Sequence, residues 1–245
     1  MVKSYATKAI MPGLIPTLFV AIGSTVGATL KLPAKVSGSL VTVAAGLITA
    51  SFISDTAPEI ADTTGRSSRV SAMLGMMGGI LLMIGLQYAE NRTGNNDHGR
   101  GSVWGLVGGS CIKFFTDSVL VGQSIKDNDI PTTPMMIAIS IESVVISSAI
   151  ATTMRNRGKS NKEIAGFVIA LVFSSALGIF AGFKFKKFFS GSREMFMLGV
   201  AATVMLWVVV YELLPEANRS LSAKKWVIPA LWLGSTAVGI GSKWI

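Results

Sequence analysis

Apolar residues run along this chain in long blocks separated by short polar connections. Eight blocks approach or exceed the roughly 20 residues that a helix needs to cross a hydrocarbon core. They cover residues 10–30, 36–60, 70–89, 102–124, 130–154, 164–183, 195–214 and 226–244. Blocks 10–30 and 164–183 contain no charged residue. All eight are rich in Gly, Ala and Ser, which let helices approach closely in lipid. The longest polar connection, "ENRTGNNDHGRG" at 90–101, reads as a flexible loop from its Asn and Gly content. No connection has room for an appended soluble domain. The pattern predicts an all-α integral membrane protein of eight transmembrane helices, forming a single domain over residues 1–245. The basic start, "MVKSYATK", leads into a block too long for a signal-peptide core and reads as the approach to the first span.

The blocks contain an internal repeat. "VAAGLITASFISDTAPEIAD" begins at Val43 and "VAATVMLWVVVYELLPEANR" at Val200. Each opens Val-Ala-Ala and then places an acid, two residues and Pro-Glu at the same offset. These are Asp55, Pro58 and Glu59 in the first copy and Glu212, Pro215 and Glu216 in the second. The copies lie in the second and seventh blocks, an odd number of spans apart, so they cross in opposite directions. Inverted repeats of this kind are a transporter architecture, with the site expected near the bilayer midplane. The simpler reading of the prolines alone is helix punctuation at the membrane surface.

Composition sharpens the class. The chain is 50% hydrophobic and only 14% charged, against about 25% charge in a typical soluble domain; its mean hydropathy is +0.57. The net charge of +9 comes from residues between apolar blocks, without interleaved aromatics. That suits lipid headgroups and argues against a nucleic-acid partner. A single cysteine, Cys111, excludes an internal disulfide, and a lone histidine, His98, excludes a histidine-built zinc site. Eight spans put both termini on one side. That side carries 10 Lys and Arg residues and the other 11, so the charge rule assigns no orientation. No nucleophile–base pair or metalloprotease motif is present, so no enzyme is expected.

Three ionisable residues stand out because they fall inside the blocks. Lys113 is the midpoint of 102–124, Asp117 lies one turn on, and Glu142 is the midpoint of 130–154. Each charge at a bilayer centre costs about 2.5–3.5 kcal/mol on the insertion scale, so the three must pair or face water. Lys113 and Asp117 are spaced i, i+4 and share a helix face; Glu142 is placed to complete a cluster from the next helix. The alternatives are a buried ion pair that fixes helix registry and a polar site in a transport pathway. Hydroxyls surround the charges, among them Thr116, Ser118, Ser140, Ser143, Ser147, Ser148, Ser174 and Ser175. Singly each is ordinary helix–helix glue; together they favour a hydrated interior.

The chain resembles the ZIP family of divalent metal-ion transporters in its short, loop-poor prokaryotic form. "AAGLITASFISDTAPEIAD" is similar to that family's second helix, "VMLWVVVYELLPEANR" to its seventh, and "RNRGKSNKE" at 155–163 to the polar turn after its fifth. The resemblance implies an eight-helix bundle with inverted repeats that assembles as a homodimer in the cell membrane. It implies zinc, manganese or iron as transported cargo, with no permanently bound cofactor. Both termini are then extracellular and the His98 loop cytoplasmic. Aligned on Gly122 and Gly158, the family's ligand positions fall on Asp117, Glu142 and Ser143, with Ser175 in place of its sixth-helix acid, while Lys113 stands where the family has a histidine. Phe114 and Ile146 occupy two further ligand positions and cannot ligate. Two carboxylates with hydroxyls make a weak, hard site for a transition metal. The ammonium of Lys113 is expected to act there as a tethered surrogate cation between Asp117 and Glu142. Two functions remain open: a ZIP-like divalent-metal transporter with an atypical site, or a ZIP-fold membrane protein that has lost zinc transport and is structural, regulatory or a carrier of another solute.

Overall fold

The computed structural model describes the backbone of residues 2–30, 32–92, 103–126, 133–221 and 227–241, and the side chains of 14–30, 32–90, 92, 103–123, 139–221 and 227–241. Most of the expected 90–101 loop, with His98, lies outside the described residues. The described residues form eight helical rods without a strand, one for each apolar block. In chain order these are α1 (Val2–Thr29); α2 (Ala34–Ser51), continued through a π-helical turn (Phe52–Thr56) into α3 (Ala57–Ala61); α4 (Arg66–Arg92); α5 (Val103–Lys126); α6 (Thr133–Asn156); α7 (Asn161–Lys184); α8 (Ser192–Trp207), continued through a second π-helical turn (Val208–Leu213) into α9 (Leu214–Leu221); and α10 (Val227–Gly241). By length and composition, Ala34–Ala61, Arg66–Glu90, Asn161–Lys184 and Ser192–Leu221 can each cross a membrane. In α5 the apolar run is interrupted by Lys113 and Asp117.

The bundle is apolar on the outside and holds charges within. Met73, Leu74, Met77 and Leu81 of α4 and Ile169 and Phe173 of α7 are exposed, while Lys113, Arg157, Glu212 and Glu216 are buried. Water-soluble packing has the reverse distribution, with charged residues almost never fully buried unless paired.

Close packing is organised around four helix pairs: α1 with α6, α2 with α10, α4 with α8, and α5 with α7. Glycine permits each approach. A Cβ on Gly178 or Gly182 of α7 would overlap the Phe115 or Val119 carbonyl oxygen of α5; one on Gly75 of α4 would overlap the Phe196 carbonyl of α8. Hydroxyls then bridge every pair to backbone: Ser148 donates to the Gly23 carbonyl (2.9 Å), Thr236 to Gly46 (3.2 Å), Thr203 to Met76 (3.2 Å) and Ser174 to Cys111 (2.6 Å). Small residues and interhelical hydroxyl bonds drive association where lipid removes the hydrophobic contrast between helix faces.

The sequence repeat has a counterpart in this packing. Both copies break into a π-helical turn at the matched position, around Asp55 in one and Glu212 in the other. The copies run antiparallel. Gly38 near the start of α2 sits against Ser220 and Leu221 at the end of α9, and Thr63, just past α3, donates to the Met195 sulfur at the start of α8 (3.0 Å). Exchanging the two copies, together with α1 for α7, α4 for α10 and α5 for α6, maps the α4–α8 pair onto α10–α2 and the α5–α7 pair onto α6–α1.

The turn between α6 and α7 uses Gly158 at φ 74°, a left-handed conformation that costs glycine little. Ser160 then caps α7: its hydroxyl accepts from the Glu163 backbone N–H (3.3 Å), and the Glu163 carboxylate accepts from the Ser160 N–H (2.8 Å). Ser160→Ala removes one half of this reciprocal cap and is expected to cost about 1 kcal/mol, read as a lower unfolding midpoint in detergent.

Candidate cation site

α5 places Lys113 and Asp117 on one face, one turn apart, and α6 brings Glu142 against them. The Lys113 ammonium lies 2.6 Å from Asp117 Oδ2 and 3.0 Å from Glu142 Oε1. It sits 5.6 Å from the centroid of the Phe114 ring, at which the ammonium is also directed. Lys113 is only 3% exposed, whereas the side chains of Asp117 and Glu142 keep 28% and 13% of their surface. The cation is therefore enclosed and the two carboxylates face outward from it into an open cleft. All three groups singled out by their position in the sequence meet here.

Glu142 also reaches the first repeat copy. The Ser51 hydroxyl lies 3.3 Å from Glu142 Oε2 and 3.2 Å from Asp55 Oδ2, so one hydroxyl links the two carboxylates. Ser54 donates to the other Asp55 oxygen (3.1 Å). The cleft into which these acids open has a volume of about 520 Å3. Asp55, Glu59, Asp117, Glu142 and Glu194 line it, with Lys186 as the basic lining residue. Walls of one predominant charge inside a low-dielectric bundle focus the field and concentrate cations.

Ser143 and Ser175 lie behind this floor. Both are buried, and with Asp117 and Ser118 they border a small void of about 10 Å3, near the size of one water. Ser175 is held by hydroxyls on both sides, Ser118 (2.9 Å) and Thr17 (2.9 Å), and so ties α7 to α5 and α1. Phe114 and Ile146 are buried apolar residues. Among the described residues no three His, Cys, Asp or Glu side chains are grouped to hold a metal; Asp117 and Glu142 converge on an ammonium instead.

A second buried ionic cluster went unrecognised in the sequence, where Arg157 reads as a loop charge. Arg157 Nη2 lies 3.6 Å from Glu212 Oε2, and its Nε lies 3.5 Å from Glu216 Oε2. Glu212 is fully buried, and Arg157 and Glu216 are each 7% exposed. The signal was present in the repeat: Glu212 and Glu216 are one turn apart on an apolar rod, and two buried carboxylates require a cation. Glu142 and Asn156 stand about 21 Å apart along α6 at the usual helical rise. Buried Ile146, Ala149, Ile150 and Met154 fill that interval. The first cluster thus opens to a cleft, and the second lies beyond a packed apolar layer.

A scan of the chain against protein-family models found no match, and a search of curated proteins found none.

Proposed function

We propose that the chain is a membrane-embedded cation transporter of the ZIP type, with a divalent ion, zinc foremost and manganese or iron next, as its cargo. The observation that carries this reading is the acidic cleft that ends on Lys113, Asp117 and Glu142. Eight spans with antiparallel repeats, both termini extracellular and a homodimeric assembly complete the proposal by resemblance. Cations are drawn along Asp55 and Glu59 to Asp117 and Glu142, where the Lys113 ammonium holds the carboxylates in place. An arriving divalent ion competes with that ammonium for the same oxygens. Ser143 and Ser175 offer neutral oxygens behind Asp117. Transport follows from exposing this floor to one side of the bilayer at a time.

A second reading is favoured by one specific feature. Lys113 already pairs with both acids, so the floor of the cleft holds a cation of its own without cargo. In that case it is a ZIP-fold membrane component with a structural or regulatory role, or a carrier of another solute.

Uptake into liposomes of zinc, manganese, iron and cadmium separates the two. We expect flux of at least one divalent ion, falling about a hundredfold or more in Asp117→Ala and Glu142→Ala, since each removes a charged ligand from a buried site. Absence of flux for every metal sinks the transporter reading. Flux that survives both substitutions sinks the site assignment alone.

A further inference from the structure

We infer that Arg157, Glu212 and Glu216 form the closed gate of an alternating-access cycle, and that Asp55 and Glu59 are the same gate in its open form. The inference rests on the carrier reading above and adds to it the residues that hold one side shut. The two acid pairs occupy equivalent positions in the two repeat copies, each acid lying at or just after a π-helical turn. The copies run antiparallel, so the pairs lie at opposite ends of the bundle. Equivalent segments in unlike environments are what one state of an inverted-repeat carrier displays, the other state being the exchange of the two environments. Here Asp55 and Glu59 line the 520 Å3 cleft, while Glu212 and Glu216 are buried under Arg157.

The chemistry of the closed end suits a gate. Two carboxylates on a rod that must move are held by a guanidinium on the turn after α6, and α6 also carries Glu142. A planar guanidinium reaches both acids at once, so one side chain ties the moving rod to the site helix. Breaking a buried ion pair is costly when it leaves a charge stranded, but here opening admits water to all three groups together. The π-helical turns add the means of motion, since π-turns interrupt the regular helical ladder and concentrate at functional sites.

Accessibility tests this without reference to cargo. With Cys111→Ser as background, single cysteines are placed at repeat-equivalent positions: Thr56→Cys, 5% exposed but lining the open cleft, and Leu213→Cys, fully buried at the closed end. A charged, water-soluble thiol reagent is applied to the purified protein in detergent. In the parent, the Thr56→Cys reporter, reached through the cleft, reacts faster than the Leu213→Cys reporter. Arg157→Gln alone removes a charge partner from two buried acids and risks misfolding. The combination Arg157→Gln, Glu212→Gln and Glu216→Gln, which removes all three charges, is therefore the decisive variant, with gel filtration as the check on folding. It is expected to raise the labelling rate at position 213 about tenfold and to lower that at 56 by the fraction of the population transferred, as a two-state equilibrium shifts. Position 213 remaining unreactive in the folded variant overturns the proposal. So does a gain at 213 with no loss of labelling rate at 56, which is a leak and not an exchange. A reciprocal shift without metal flux keeps the gate and removes the cargo assignment; flux without a shift removes the gate.

Discussion

Lys113→Gln is expected to make the stability of this protein depend on divalent metal. The substitution removes the ammonium that bridges Asp117 (2.6 Å) and Glu142 (3.0 Å) and leaves two carboxylates facing each other. Stranding one member of a buried pair costs about 3–5 kcal/mol. The open cleft partly hydrates both acids, so the lower end of that range applies. The vacated volume lies between two acidic oxygen donors, a setting that accepts a divalent ion. Zinc or manganese at a hundred times its dissociation constant then returns about 2.7 kcal/mol. The measurement is thermal unfolding in detergent, with and without each metal, for the parent and the variant. The parent should respond less, because an incoming ion must first displace its own ammonium from the same oxygens. Lys113→His should respond more strongly to zinc, since imidazole is a better ligand for it than an amide. A variant that loses stability but ignores every divalent ion would falsify the surrogate-cation account and leave Lys113 as a registry-fixing ion pair.

Gly182→Ala should destabilise the bundle by about 1–3 kcal/mol, the usual range for overpacking a filled interior. Gly166→Ala, the same chemical change on the same helix, should be neutral or stabilising by up to about 1 kcal/mol. The difference in sign is steric. A Cβ at 182 overlaps the Val119 carbonyl of α5, which is backbone and cannot step aside, whereas one at 166 meets nothing within 4 Å. Separating α7 from α5 also pulls Ser175 from Ser118, one turn past Lys113 and beside Asp117. The effect should therefore reach the cation site as well as the unfolding midpoint. Equal midpoints for the two variants would show that α5 and α7 do not pack through this glycine face.

The apolar blocks made the eight rods legible because burial in a bundle needs only length and composition, and both are local properties of the sequence. The meeting of Lys113, Asp117 and Glu142 was legible for an energetic reason: three charges inside apolar helices must find one another. The Asp55 and Glu212 motifs were visible as a repeat, but their unequal environments were not. Equivalent sequence cannot indicate which copy is covered, since that depends on what packs against each copy. Arg157 was hidden because a basic residue beside Gly158 has the local signature of a solvated turn; only tertiary packing buries it. Ser143 and Ser175 entered as ligand positions by resemblance. Their places behind Asp117, with Ser175 bonded to Ser118 and Thr17, depend on how α1, α5 and α7 approach and on which way each hydroxyl turns.

The antiparallel relation between the two halves bears on how a chain of this kind would be threaded into a bilayer as it is made. A half that packs equally well in either direction carries little information about which way up it belongs. On the eight-span reading the basic residues, 10 on one side and 11 on the other, add none. Orientation must then rest on whichever segment commits first during synthesis, with later segments following by packing. One or two lysines added to an early connection should be enough to divide the population between opposite orientations.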